Sequence, residues 1–457
     1  MYGAFDAGYV SLEPFGTVHH GIEVTQESDN ANRMLDIVMV DPLENVEPQL
    51  ALITTPKVEF VQYYGKQLLL GYVLFQVFQR KTKKMSLEIL KRLPVKSLLR
   101  FRSISWIWNS LICDPSFIST HLQSSLSNNT PFLLIHYSET GKDNYSFHYD
   151  NDGFDELKQL QLPVFDCSSR TAMLDSCNGL ICLILFHCEF LNFVIWNPSI
   201  QKYIYLPQLS ISEDAELKFG FGFDSRTNDY KLLIVGVDEK DGSWIQPYLF
   251  SLNENCWKRV TAIPPTYTFG VVTGAIDIKV PFVNGVVHWL GYQTRNNGGF
   301  SNVILGFDFS AEEFMVINLP ESLIGLWPPC LTIMKYGESS IAVCKSGELR
   351  ELWVKKEYGV VESWIKVLAL TRHIQSKRIP YVLGFRKNGE VLLEVDRGKM
   401  ASLDFNCLKM EPHVVEGVEV ATTLITIKGS YIESLVLLDV HSGSLVRTGK
   451  YIHLLFL

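Results

Sequence analysis

Residues 87–122 read LEILKRLPVKSLLRFRSISWIWNSLICDPSFISTHL, and the rest of the chain is interpreted outward from them. Apolar side chains recur at spacings of three and four, so Val95, Leu98, Phe101, Ile104, Trp108 and Leu111 share one helical face. Pro94 suits a first helical turn and ends any helix that precedes it. Asp114-Pro115-Ser116 makes a turn or cap leading into Phe117, Ile118 and Leu122. The stretch therefore reads as three short helices. About 35 residues bury too little surface to be stable alone, so the apolar face needs another domain or a partner chain.

The chain has 457 residues, of which 47% are hydrophobic, enough for two to four domains with a substantial core. Its net charge of −8 is unevenly spread: residues 80–102 hold nine Lys/Arg against Glu88 alone, so the remainder is strongly acidic. The basic residues alternate with a Leu-rich face rather than with stacking aromatics, which favours an acidic protein partner over nucleic acid. Nine cysteines, an odd number without a Cys-x-x-Cys pair, sit mostly in apolar runs. They are expected to be reduced and buried, as in cytosol or nucleus. Cys177, Cys182, His187 and Cys188 match no zinc spacing, and strand alternation would scatter them over both faces, so they read as core. No secretory signal is visible, and Leu68–Phe78 is too short to span a bilayer, so no membrane is expected.

Residues 1–84 form an acidic extension without sustained periodicity, read as partly disordered or as lying ahead of a true start at Met85. From Pro131 onward, short apolar strands alternate with turns. Asn178-Gly179, Asn284-Gly285, Ser346-Gly347 and Asn388-Gly389 supply the positive φ that tight hairpins need. A strand, a polar turn and a second strand closing on an apolar-Pro pair recur, ending at Pro207, Pro264 and Pro320; weaker copies lie at 352–370, 403–415 and 435–445. Repeated antiparallel sheets that cannot bury their faces singly argue for a β-propeller of about six to seven blades, with a pair of β-sandwiches as the alternative. The expected fold is thus α+β and multidomain: a helical module at 85–123, then an all-β propeller at 131–457.

No catalytic, cofactor-binding or metal-binding residue is expected, because no nucleophile elbow, phosphate loop, dinucleotide fingerprint or metalloprotease helix occurs. Gly220-x-Gly222 reads as strand and turn, His288 as a packed, hydrogen-bonded core residue, and Glu312-Glu313 as a solvated hairpin tip. Partner contacts are expected from polar inter-blade loops such as Gln293–Ser301 and His373–Arg378.

The helical stretch resembles an F-box of the plant type. Glu88-Ile89-Leu90, Arg92-Leu93-Pro94-Val95-Lys96-Ser97-Leu98-Leu99-Arg100-Phe101-Arg102, Trp108, Asp114-Pro115, Phe117 and His121-Leu122 carry the match. Where such domains usually open with a Leu-Pro pair and an acidic residue, this chain has Arg80-Lys81-Thr82-Lys83-Lys84. Residues from about 170 to 440 resemble the F-box-associated domain through Ser176-Cys177-Asn178-Gly179-Leu180, Trp196-Asn197-Pro198-Ser199, Gly220-Phe221-Gly222-Phe223-Asp224, His288-Trp289-Leu290 and Leu352-Trp353-Val354. The resemblance implies a non-catalytic substrate receptor of a cullin-based ubiquitin ligase. Its Skp-type adaptor would be docked by Leu90, Leu93, Pro94, Val95, Leu98, Leu99, Ile104 and Trp108, and steered by Lys91, Arg92, Lys96, Arg100 and Arg102. The propeller would hold an unidentified protein substrate. Two other readings stay open: a stand-alone propeller acting on a glycan or small ligand, and a degenerate F-box protein that recruits no ligase.

Overall fold

The computed structural model describes residues 50–55, 58–63, 83–128, 132–139, 142–151, 154–163, 170–186, 191–209, 215–238, 243–265, 267–269, 280–294, 299–326, 330–360, 362–371, 379–396, 399–405, 407, 409–414, 424–439 and 446–448. The Leu68–Phe78 segment and the loop His373–Arg378 lie outside them. Strands β1 (Leu50–Thr55) and β2 (Val58–Tyr63) pair as an antiparallel hairpin within the N-terminal unit.

Four helices follow: α1 (Lys83–Leu90), α2 (Val95–Arg102), α3 (Trp106–Ile112) and α4 (Pro115–Asn128). Periodicity alone ran one apolar stripe unbroken from Val95 to Leu111. The structure breaks it at Ser105, whose extended backbone (φ −152°, ψ 143°) lets its Oγ accept the Ile107 N–H as an N-cap. The break turns Ile104 outward, where it is 40% exposed, while Phe101 and Trp108 stay buried with ring centroids 6.4 Å apart. Asp114 opens α4 in the same manner, accepting the Ser116 N–H at 2.9 Å.

The remaining strands form six antiparallel sheets, each one blade of a propeller. The first blade contains β3 (Phe132–Glu139), β4 (Lys142–His148) and β5 (Glu156–Leu160). The second has β6 (Arg170–Cys177), β7 (Leu180–Phe186), β8 (Leu191–Asn197) and β9 (Lys202–Tyr205). The third has β10 (Ala215–Asp224), β11 (Asp229–Asp238), β12 (Trp244–Ser251) and β13 (Cys256–Arg259). The fourth has β14 (Thr268–Phe269), β15 (Phe282–Val283), β16 (Val286–Thr294), β17 (Phe300–Asp308) and β18 (Glu313–Asn318). The fifth has β19 (Leu331–Tyr336), β20 (Ser340–Lys345), β21 (Arg350–Lys355) and β22 (Trp364–Leu370), and the sixth β23 (Tyr381–Phe385), β24 (Val391–Asp396), β25 (Lys399–Leu403) and β26 (Met410–Val414).

The ring is closed by β27 (Leu424–Tyr431), which pairs with β3 in the register Tyr431↔Phe132 and so completes the first blade from the far end of the chain. A short β28 (Val446–Thr448) adds a fifth strand to the second blade along β9. Of the repeat expected at 435–445, the described residues 435–439 form no strand: Leu435 and Leu437 are buried in the segment that follows the ring-closing strand. This pairing covers the edge that β3 would otherwise expose.

Blade faces bury one another. Alternate residues of β7 divide between two clusters: Leu180, Cys182 and Ile184 pack toward the third blade, whereas Ile181, Leu183 and Leu185 pack toward the first. Cys177 and Cys182 are core residues of one cluster, where burial pushes both thiols up in pKa; His187 and Cys188 lie outside the described residues. Cys256 and Cys407 are exposed, contrary to a wholly buried set. The Asn-Gly turns behave as the hairpin reading requires, with φ of 47° and 83° at Asn178-Gly179 and 52° and 81° at Asn284-Gly285. Gly222 serves packing instead: a Cβ there would collide with the Phe282 ring of the next blade.

Candidate functional site

Inner strands of the ring all run in one direction, so the hairpin turns that follow them gather at one end. The turns at Asn178-Gly179 and Asn284-Gly285 belong there, as do the loop 225–228 and residues 337–339 and 386–390. Tyr431 ends β27 and Phe132 begins β3 at this same end. The chain therefore delivers α4 onto it. Pro115, Ile118 and Leu122 of α4 line a cavity of about 560 Å³ with Asn228, Asn253 and Leu437, and Leu126 lines a second one of similar size with Asn178 and Asn284.

This end is braced by polar links between blades. Lys231 is buried, with its Nζ 2.8 Å from Asp224, 2.9 Å from the Phe309 carbonyl and 3.4 Å from Glu312. Burial alone would raise the Asp224 carboxyl, but hydrogen bonds from Lys231, Ser310, Thr227 and Arg226 hold it well below the usual carboxylate range. Glu312 is then no solvated tip. It bridges blades, taking Lys258 at 2.6 Å, while Glu313 is exposed. Arg386 joins the sixth blade to Asp150 of the first at 2.7 Å. His288 is buried as expected; its Nδ1 lies 3.0 Å from the Pro281 carbonyl, which can only accept, so Nδ1 carries the proton and Tyr358 donates its hydroxyl to Nε2 at 2.7 Å.

The expected docking residues separate into two groups. Leu90, Val95, Leu98 and Trp108 are buried, together with Phe101, Ile112, Phe117 and Leu122, and present no surface to a partner. Leu93 and Leu99 are half-buried, and Pro94 and Ile104 are exposed. Trp106, absent from the expected set, is 79% exposed beside Ile104. Helical periodicity could not find it, because it falls off the Val95–Leu111 stripe; the Ser105 cap in the sequence was the available signal. Among the cations, Arg92, Lys96 and Arg100 are exposed, and Lys91 and Arg102 are half-buried. Arg102 donates from Nε to Asn109 at 2.7 Å.

At the opposite end of the ring lie the connections from second to third strand and from one blade to the next. Gln293 and Thr294 end β16 and pair there with Ser301 and Phe300 at the start of β17, and Leu370 and Tyr381, which flank His373–Arg378, end and begin their strands there. Both expected contact loops thus depart from the end remote from α4. Among the described residues no group of three metal-ligating side chains occurs, and no helix is long and apolar enough to cross a membrane.

Comparisons with known proteins agree with this architecture. The F-box domain matches residues 83–120, and the F-box associated beta propeller domain matches residues 130–404. The chain is 27% identical over 366 residues to F-box protein CPR1 of Arabidopsis thaliana, spanning 71% of this chain and 81% of that protein. It is 27% identical over 302 residues to an F-box/kelch-repeat protein of the same plant, spanning 62% and 77%. With helices ahead of a six-bladed ring and a domain match across more than half its length, the chain belongs to the plant F-box proteins that carry an F-box associated β-propeller.

Proposed function

We propose that this protein is a non-catalytic substrate receptor of a cullin-based ubiquitin ligase. Helices α1–α4 dock a Skp-type adaptor and, through it, the cullin scaffold, and the propeller captures the protein to be ubiquitinated. The observation that carries the reading is the outer face of the helical module: Pro94, Ile104 and Trp106 are exposed and Leu93 and Leu99 half-buried, with Arg92, Lys96 and Arg100 exposed among them. Large exposed aromatic and aliphatic side chains rimmed by charge make an interface core, with the cations speeding encounter with an acidic partner. Leu90, Val95, Leu98 and Trp108 act from beneath, holding the helices in shape.

Capture belongs to the end of the ring remote from α4, from whose strand ends the stretches Gln293–Ser301 and His373–Arg378 depart. The ligase gains rate by proximity, since a bound substrate is held near the charged ubiquitin enzyme. The setting is cytosol or nucleus, in keeping with the free thiols among the described cysteines.

The test is a pull-down with the full chain, read by mass spectrometry. Wild type should bring down a Skp-type adaptor and a cullin, and Ile104→Asp with Trp106→Ala should lose both. Recovery of neither partner by wild type would overturn the ligase reading and favour a degenerate F-box.

A further inference from the structure

Ser103 and Ile104 link α2 to α3, and both are exposed. The Ser103 Oγ donates to the Leu99 carbonyl at 3.3 Å, longer than the usual range for a hydroxyl donor. Neighbouring hydroxyls are held more firmly: Ser97 is buried, Ser105 caps α3, and Ser116 is bound to the Asp114 carboxylate. Arg100 and Arg102 stand three residues and one residue ahead of Ser103, and no Asp or Glu occurs from Ile89 to Cys113. Residues three apart adjoin on a helix surface, so the exposed Arg100 lies beside this hydroxyl. Ser110 is exposed as well, but Ile107 and Asn109 occupy the corresponding places before it.

We propose that Ser103 is phosphorylated by a protein kinase with an acidic substrate groove, and that the phosphate switches off adaptor docking. The second half rests on the docking role proposed above; the first does not. An exposed serine preceded by two arginines, in a stretch without carboxylates, complements such a groove in charge. In the transfer, Ser103 Oγ bonds to the γ-phosphorus of ATP and the bond from that phosphorus to the bridging oxygen breaks. ADP leaves with the electron pair, and the hydroxyl proton passes to the kinase's base. The product adds about −1.5 to −2 charge at pH 7 to a face whose exposed cations include Arg92, Lys96 and Arg100. It also lies at the C-terminal end of α2, where the helix dipole disfavours an anion. Arg100 and Arg102 are the nearest groups in sequence able to answer it, and Arg102 must then leave Asn109, which accepts its Nε–H at 2.7 Å. Charge and shape change together beside the exposed Ile104 and Trp106. Linkage is reciprocal, so a bound adaptor shields Ser103 from the kinase.

The experiment treats the folded full-length chain with ATP and the catalytic subunit of cyclic-AMP-dependent protein kinase, whose substrate groove is acidic. Mass spectrometry should place phosphate on Ser103, and Ser103→Ala should take none between residues 103 and 110. Arg100→Ala should lower kcat/KM at Ser103 on the order of tenfold. Treated and untreated wild type are then titrated with a purified Skp-type adaptor. Phosphate should weaken binding on the order of tenfold or more, mainly through a slower on-rate whose deficit shrinks in high salt. Treated Ser103→Ala should bind as untreated Ser103→Ala does. Absence of phosphate from Ser103 overturns the site, and so does incorporation only in heat-unfolded chain, since the hydroxyl is then closed to the kinase in the fold. Equal adaptor affinity with and without the phosphate overturns the switch. If untreated wild type binds no adaptor, the ligase reading fails while mass spectrometry still decides the site.

Discussion

His121 Nε2 sits 2.9 Å from the carbonyl oxygen of Leu93, across 28 residues, and ties α4 to the turn that carries half-buried Leu93 and exposed Pro94. A carbonyl can only accept, so Nε2 bears the proton and the ring is neutral; Nδ1 is buried without a partner. Burial pushes this imidazole's pKa down, with the Leu93 carbonyl pulling the other way. Replacing His121 by Ala orphans the carbonyl and should destabilise the helical module by about 1–3 kcal/mol. Hydrogen exchange at residues 91–99 should rise more than in the blades. Equal protection in variant and wild type would show that the bond carries nothing.

The two neighbouring tryptophans should behave oppositely. Trp106 is 79% exposed, so Trp106→Ala should leave melting nearly unchanged while weakening adaptor binding by about 2 kcal/mol, as for an interface anchor. Trp108 is buried, and Trp108→Ala should cost about 3–5 kcal/mol of stability in the module. Titration and calorimetry on both variants separate contact from support, and a reversal of the two results would move the interface to another face.

Acid should weaken the fourth and fifth blades through His288. Its pKa is lowered to about 4 by burial, against the 6.5 of an exposed imidazole. A folded-state pKa below the unfolded one means stability is full above about 6.5 and is lost as pH falls toward 4. At pH 5 the penalty should be about 2 kcal/mol. In His288→Gln, the gap between melting temperatures at pH 7 and pH 5 should narrow; an unchanged gap assigns the acid sensitivity elsewhere.

Removing one partner of the Asp224–Lys231 pair should be costly. Their side chains are 0% and 5% exposed, and Asp224→Ala leaves the ammonium with the Phe309 carbonyl and the more distant Glu312. A loss of about 3–5 kcal/mol is expected in denaturant unfolding. Replacing both with Asn and Met should cost less than Asp224→Ala alone, a comparison that fails if the pair is solvated in solution.

Replacing the loop Gln293–Ser301 should abolish substrate capture with melting and adaptor binding kept, because its flanking strand ends lie remote from α4. Capture that survives this replacement and the equivalent one at His373–Arg378 would place recognition off these loops.

The sequence by itself determined the local elements. Asn178-Gly179 and Asn284-Gly285 announce tight hairpins, because positive φ at both positions is a local property of the residues present. The recurring apolar-Pro endings marked blade after blade, and Leu98, Phe101 and Trp108 declared a buried helical stripe. What sequence could not settle was whether a residue on that stripe faces a partner or the protein's own interior, since periodicity fixes a face and not its neighbour. It likewise read Glu312 as solvated, because Lys258 and Lys231 approach from another blade 54 and 81 residues away. Blade number and closure were decided by β27 pairing with β3 across about 290 residues, a contact no local pattern encodes. Side chains so far apart in the chain meet only because the ring returns to its start, and there the tertiary structure alone assigns their roles.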